Sequence, residues 1–180
     1  MPPPFRDDPE TGDRQAVFDL STKERTVNRP ETQNEKEGIA TVIRNSIAWA
    51  LTKDVEMQKA TMAQDEDLFY YWIASAYTIS GWEAHEKLFD TWMDPRFKAV
   101  RTEVRDLRIT LSRSGDVAWF SAVLDDVTEW DGQVSSYGEG LHWTGVLERR
   151  DGRWVIVQMH ASLPVEKVRE IVTKEMEAAG

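Results

Sequence analysis

The sequence predicts an α+β fold in which helices pack on one face of a curved antiparallel sheet. Three observations carry it. Between Gly115 and Val165 run three long alternating strands, GDVAWFSAVLDDVTEWDG, GEGLHWTGVLERRDG and RWVIVQMHASLPV. Two Asp-Gly turns, at Trp130–Gln133 and Arg149–Arg153, have the composition that favours the positive φ angles of tight hairpins. The preceding half carries helical periodicity around one short aromatic hairpin. Strands this long must twist and bend, giving a concave face that helices fill only in part. The expected shape is a cone with an interior cavity.

Residues 1–34 are rich in Pro, Asp, Glu and Thr, with few apolar residues, chiefly Phe5, Ala16, Val17, Phe18 and Leu20, to anchor them. They read as a partly ordered acidic arm that does not fold alone. The domain proper is expected over 35–180. Its first helix is predicted to start near Thr32 or Asn34, where Thr32 and Glu35 have capping-box spacing. Ile39, Val42, Ile43, Ile47 and Ala50 then recur at threes and fours and form one apolar face. A shorter helical piece covers Val55 to Met62. Leu68 to Trp72 is aromatic and strand-like, and Ala76 to Ile79 is the expected second strand of a hairpin.

A second capping box, Ser80 to Glu83, is expected to open another helix. His85, Leu88, Phe89 and Trp92 lie on one stripe of it, at i, i+3, i+4 and i+7. The helix stops before Asp94-Pro95, because proline removes a donor and restricts its predecessor. Val100 to Leu111 alternates as a strand and turns at Ser112 to Asp116, so four antiparallel strands follow one another. Pro164 to Ala179 is the closing helix, with Val165, Val168, Val172 and Met176 on one side.

The 180 residues suffice for a single core without staples. The chain has no cysteine, which excludes disulfides, thiolate metal sites and a cysteine nucleophile. A net charge of -10 disfavours nucleic acid and anionic lipid as partners. No stretch approaches the apolar length of a membrane span, and Met1 to Glu10 has no apolar signal core, so a soluble, cytoplasmic chain is expected. No P-loop, nucleotide fingerprint or nucleophile elbow is present, and neither cofactor nor metal is expected.

The order of elements, the Ser80-Gly81 entry to the helix, and GDVAWF, GLHWTGVLERRDGRWVIVQMHAS resemble the nuclear transport factor 2-like superfamily, specifically its SnoaL-like branch. Arg149 to Ser162 also resembles the association domain of calcium/calmodulin-dependent protein kinase II. The resemblance covers about Glu35 to Leu163 and implies a cone-shaped, cystatin-like fold. It is weak on function, because this fold carries isomerases, cyclases, dehydratases, hydrolases and assembly domains. The position that holds the catalytic base in ketosteroid isomerase falls near Tyr70 and Tyr71, which are not carboxylates. In the kinase association domain a pocket histidine falls at His85, while its arginines fall near Ser121, Gly145 and Ala161. The pocket implied here is neutral and aromatic.

The comparison sets an inward face of Trp119, Ser121, Val123 and Asp125, then Trp143 and Gly145, then Met159 and Ala161. The opposite set is Phe120, Leu124 and Asp126, with His142, Thr144, Ile156, Gln158 and His160. His85 and Asp125 are the acid/base candidates; Tyr71, Trp119, Ser121, Trp143, Met159 and His160 are the ligand-contacting ones. Each has a structural alternative: a hydrogen-bonded core histidine, an exposed strand-end carboxylate, or tryptophans that fill a core. Asp125-Asp126 sends one carboxylate to each face of its strand, and the inward one is desolvated among aromatics. Two functional readings follow. One is a pocket protein that binds, and as an enzyme transforms, a small apolar or aromatic molecule by general acid/base chemistry. The other is a non-catalytic association domain that dimerises through the outer sheet face, with Phe120, Leu124 and Ile156 at the interface.

Overall fold

The structure, a computed structural model, describes residues 30–73, 78–135 and 137–179. The expected arm therefore lies outside the described residues except for 30–34, as do Ala76 and Tyr77 of the second hairpin strand placed at Ala76 to Ile79. Helix α1 (Pro30–Thr52) begins with a proline, whose fixed φ suits a first helical turn. It buries Ile39, Ile43, Ile47 and Trp49. Thr32, expected near the start, lies inside the helix. Glu35 accepts hydrogen bonds from Arg149 and from the Trp154 indole, tying α1 to the far end of the sheet.

Helix α2 (Val55–Lys59) is capped by the Asp54 carboxylate, which accepts from the Met57 amide at 2.9 Å. Strands β1 (Phe69–Tyr71) and β2 (Ile79–Ser80) pair antiparallel. The expected single helix after them is two short pieces, α3 (Trp82–Glu86) and α4 (Phe89–Trp92), joined through Lys87 and Leu88. Gly81 caps α3 at φ 80 with no side-chain cap. Glu83, expected to complete a capping box, pairs with Lys87 at 2.9 Å instead. The predicted stripe survives the break: His85 packs against Phe89 and Trp92 with ring centroids 5.6 and 5.4 Å apart.

The sheet is completed by β3 (Phe97–Leu111), β4 (Val117–Trp130), β5 (Gln133–Val134), β6 (Leu141–Arg150) and β7 (Arg153–Ser162), in the order β2-β1-β7-β6-β4-β3 with β5 on the end of β4. Both Asp-Gly turns are as the sequence suggests, with positive φ at Asp131, Gly132, Asp151 and Gly152. β1 runs parallel to β7, so the small hairpin closes the edge that the meander leaves open.

Register corrects the expected faces. Phe120 of β4 stands opposite Gly145 of β6, so Phe120 turns inward and its ring packs on Trp143 at 4.7 Å. A Cβ on Gly145 would approach the Phe120 ring and the Gln158 carbonyl to 2.6 Å, so glycine is required for this close approach. Ala118, Phe120, Ala122 and Leu124 are accordingly buried, and Trp119 and Ser121 are exposed. The inward set anticipated on β4 is the outward one, whereas Trp143, Gly145, Met159 and Ala161 are buried as expected. A bulge between Val146 and Leu147 in the pairing of β6 with β7 returns Ile156 to the core, although Gln158 and His160 lie on the other face. Phe120, Leu124 and Ile156 thus form core, and none is available as an interface.

Helix α5 (Val165–Ala179) buries Ile171 and leaves Val165, Val168, Val172 and Met176 exposed. The apolar side read from the sequence exists and faces outward.

Candidate functional site

A cavity of about 500 Å³ lies between the helices and the concave face of the sheet. α1 contributes Ser46 and Trp49, α2 contributes Gln58, β1 contributes Tyr70, and α3 and α4 contribute His85 and Trp92. The sheet side presents Asp126, Thr128, Leu141 and Met159, and Ser135, Tyr137 and Gly138 complete the wall. The volume is in the range of small-molecule sites, and the lining is mainly apolar and aromatic with a few polar groups.

His85 is 1% exposed. Its Nδ1 is 2.8 Å from the Tyr70 hydroxyl, and Trp82, Phe89 and Trp92 surround the ring. Hydrogen-bond accounting selects the tautomer. Were Nδ1–H to donate to Tyr70, both the phenolic proton and Nε2 would lack partners among the described residues. With Tyr70 donating to Nδ1, only Nε2–H is left over. His85 is therefore a neutral imidazole with a buried, unpaired donor. Burial drives its pKa down to about 4 and pushes that of Tyr70 upward, so both are uncharged at neutral pH.

Gln58 Oε1 is a second buried atom without a partner among the described residues. Leaving such a group unpaired costs about 1–3 kcal/mol. Of the three buried unpaired side-chain atoms among the described residues, Gln58 Oε1, His85 Nε2 and Trp143 Nε1, two belong to residues that line the cavity. The cavity wall thus holds a donor and an acceptor that no described residue satisfies.

The paired carboxylates are divided as the strand geometry requires, with the sides opposite to expectation. Asp125 faces outward. It accepts from the Arg101 and Arg105 guanidinium groups, each at 2.9 Å, and from the Gly140 amide at 2.8 Å. Burial opposes its ionisation, but the Gly140 amide and the two arginines outweigh that and hold the carboxyl below its usual range. Asp125 is a structural ion-pair centre in this fold, removed from the cavity. Asp126 lies on the cavity wall, where no side chain among the described residues bonds its carboxylate, and burial raises its pKa to about 6. Gly138 presses on the strand here: its carbonyl accepts from the Asp126 amide at 2.6 Å, and a Cβ would collide with the Asp126 carbonyl.

Of the other residues expected to touch ligand, Met159 lines the cavity and Trp143 is fully buried beside Phe120 in the core. Tyr71 and Trp119 are 51% and 47% exposed, Ser121 is exposed, and His160 is exposed with Tyr71 edge-on at 6.4 Å. These four lie outside because β4 is displaced by one residue from the assumed alternation, and because β1 adds to β7 with Tyr71 opposite His160. Sequence reasoning missed Gln58, Asp126 and Trp49. Asp126 had a signal, its neighbour's equal claim; Gln58 and Trp49 had only a place near or on an apolar helical face. Among the described residues no cluster of three or more His, Asp or Glu is placed to hold a metal ion.

Known proteins place this geometry. The profile of the SnoaL-like domain matches residues 39–166, and the chain belongs to that family. No curated protein matches it. Among solved structures, an NTF2-like protein from Cytophaga hutchinsonii is similar at 14% identity and TM-score 0.58, covering 72% of this chain and 98% of that one. An NTF2-like protein from Pseudomonas putida is similar at 19% identity and TM-score 0.56, covering 74% and 88%. The association domain of C. elegans CaMKII aligns at 18% identity and TM-score 0.54, covering 75% and 100%. These likenesses establish the fold. No helix among the described residues is long and apolar enough to cross a membrane.

Proposed function

We propose that this SnoaL-like protein binds a small, largely apolar or aromatic molecule in the cavity, with neutral His85 as the group that donates a hydrogen bond to it. One observation carries the reading. His85 Nε2 is a buried donor on a residue of the cavity wall, without a partner among the described residues, while Tyr70 fixes Nδ1. A ligand oxygen bonded to Nε2–H removes an unpaired group worth about 1–3 kcal/mol. Polarising that oxygen through a hydrogen bond is what an isomerase, cyclase, dehydratase or hydrolase would ask of a neutral imidazole. A thermal-shift screen of aromatic alcohols and ketones against the full chain tests this. Hits should raise the melting temperature of the wild type and lose most of that effect in His85→Ala. Hits that protect both proteins equally would remove His85 from the site.

A second reading is favoured by the outer sheet face and by the CaMKII association domain's likeness in fold. Tyr71, Trp119, Val123, Thr144 and His160 share that face, and two of them are large, exposed aromatics. We propose self-association through this surface in place of the Phe120, Leu124 and Ile156 interface. Sedimentation should show a dimer that Trp119→Glu dissociates; a wild-type monomer at micromolar concentration removes the proposal. The two readings are compatible, since the face and the cavity are on opposite sides of the sheet.

A further inference from the structure

We propose that the cavity is selective for hydrophobic cations, an amine or quaternary ammonium carried on an aromatic or alicyclic body, with Asp126 as the counter-charge. This rests on the reading of the cavity as a ligand site and adds the charge class of what enters it. The first support is the charge inventory of the wall. Asp126 is the one acidic side chain among the described lining residues, and no lysine or arginine is among them. The titratable groups that share the wall, Tyr70, His85 and Tyr137, supply no positive charge at neutral pH while His85 is held neutral by burial.

The second support is the state of that carboxylate. On the outer face, Asp125 is matched by two guanidinium groups and a backbone amide. Asp126, one residue on, has no ion pair or side-chain hydrogen bond among the described residues. A carboxylate left in an apolar cavity without a counter-ion is costly, and the cost is relieved by a cation delivered with the ligand. A carboxylate or phosphate ligand would place like charges together in the same low-dielectric space.

The third support is the aromatic lining. Trp49, Tyr70, Trp72, Trp92, Phe97 and Tyr137 line the same space. Aromatic faces attract ammonium groups through the ring quadrupole and leave the remainder of the wall suited to an apolar body. The unpaired Gln58 Oε1 is a further acceptor, suited to an N–H donor. At longer range, the net charge of -10 concentrates cations and repels anions before they reach the cavity.

The test is a matched series on one ring system: tryptamine, tryptophol and indoleacetate, which differ in bearing an ammonium, a hydroxyl or a carboxylate. Calorimetric titration of the full chain near neutral pH should rank them in that order, with about tenfold or more between tryptamine and indoleacetate. In Asp126→Asn the gap should shrink to about threefold or less, and Glu86→Gln, which makes the same change in net charge at an exposed helix position, should leave it intact. Asp126→Ser provides a second removal of the charge if the amide packs badly. A gap that persists in a folded Asp126 variant overturns the proposal, as does tighter binding of indoleacetate. Equal binding of all three overturns the charge selectivity and leaves the cavity standing as a ligand site; binding of none overturns both.

Discussion

Asp125 and Asp126 are neighbours in β4 and occupy opposite electrostatic environments, one anchored by Arg101 and Arg105 outside the sheet and the other, on the cavity wall, without an ion pair among the described residues. The same substitution should therefore have opposite consequences at the two positions. Asp125→Asn weakens two charge-assisted hydrogen bonds and is expected to cost about 1–3 kcal/mol. Asp126→Asn removes a desolvated charge and is expected to stabilise the apo protein at neutral pH by about 2–3 kcal/mol, the equivalent of its raised pKa. Urea denaturation of both variants measures the two signs, and equal destabilisation would refute the assigned faces.

The pH dependence of stability follows from two groups that pull against each other. Burial depresses the folded pKa of His85 to about 4, so its stabilising contribution is complete above the unfolded value near 6.5 and is lost as pH falls towards 4. Asp126 has a folded pKa raised to about 6, so the native state holds its proton more tightly and stability falls as pH rises from about 4 to 6. Across that window the two slopes cancel in the wild type. Asp126→Asn should unmask His85, with stability falling by about 1.4 kcal/mol per pH unit below pH 6, relative to wild type. His85→Asn should show the reverse difference. Unchanged slopes in both variants would contradict the burial of these groups.

Tyr70→Phe tests the tautomer. Removing the hydroxyl leaves His85 Nδ1 as an unpaired acceptor, at a cost of about 1–2 kcal/mol. It also frees the ring to exchange tautomers. Imidazole nitrogen resonances should show a single Nε2–H form in the wild type and a mixture in the variant. A wild-type spectrum already dominated by Nδ1–H would reverse the assignment of donor and acceptor.

Gly145→Ala should destabilise the fold by about 1–3 kcal/mol through overpacking against Phe120 and the Gln158 carbonyl. Pairing it with Phe120→Leu should recover part of the loss. If Gly145→Ala is neutral by thermal denaturation, the Phe120–Gly145 register is wrong.

That register also marks where sequence reading stopped working. The strands, their Asp-Gly turns and the His85 stripe were legible because each depends on spacing within a few residues. The face assignment of β4 depends on how it meets β6 across the segment 131–140, a long-range choice with no local signature. A one-residue shift exchanged Asp125 for Asp126 and Trp119 for Phe120. Tyr71 and His160 were misplaced for a related reason, since the parallel addition of β1 to β7 is invisible in either segment alone. His85 was found because a histidine among Leu88, Phe89 and Trp92 is anomalous on a buried stripe. Gln58 was not, because a polar residue on a short helix looks like solvent-facing surface until packing shows it buried.

The most direct test of the cavity as a ligand site uses the three histidines as reporters in one experiment. His85 lies on the cavity wall, and His142 and His160 are exposed on the outer face. Titrating the full chain with tryptophol while following the imidazole nitrogens should move the Nε2 resonance of His85, as the hydroxyl oxygen accepts a hydrogen bond from Nε2–H, and leave His142 and His160 in place. Movement of His142 or His160 with His85 unchanged would put the ligand on the sheet's outer face and contradict the account.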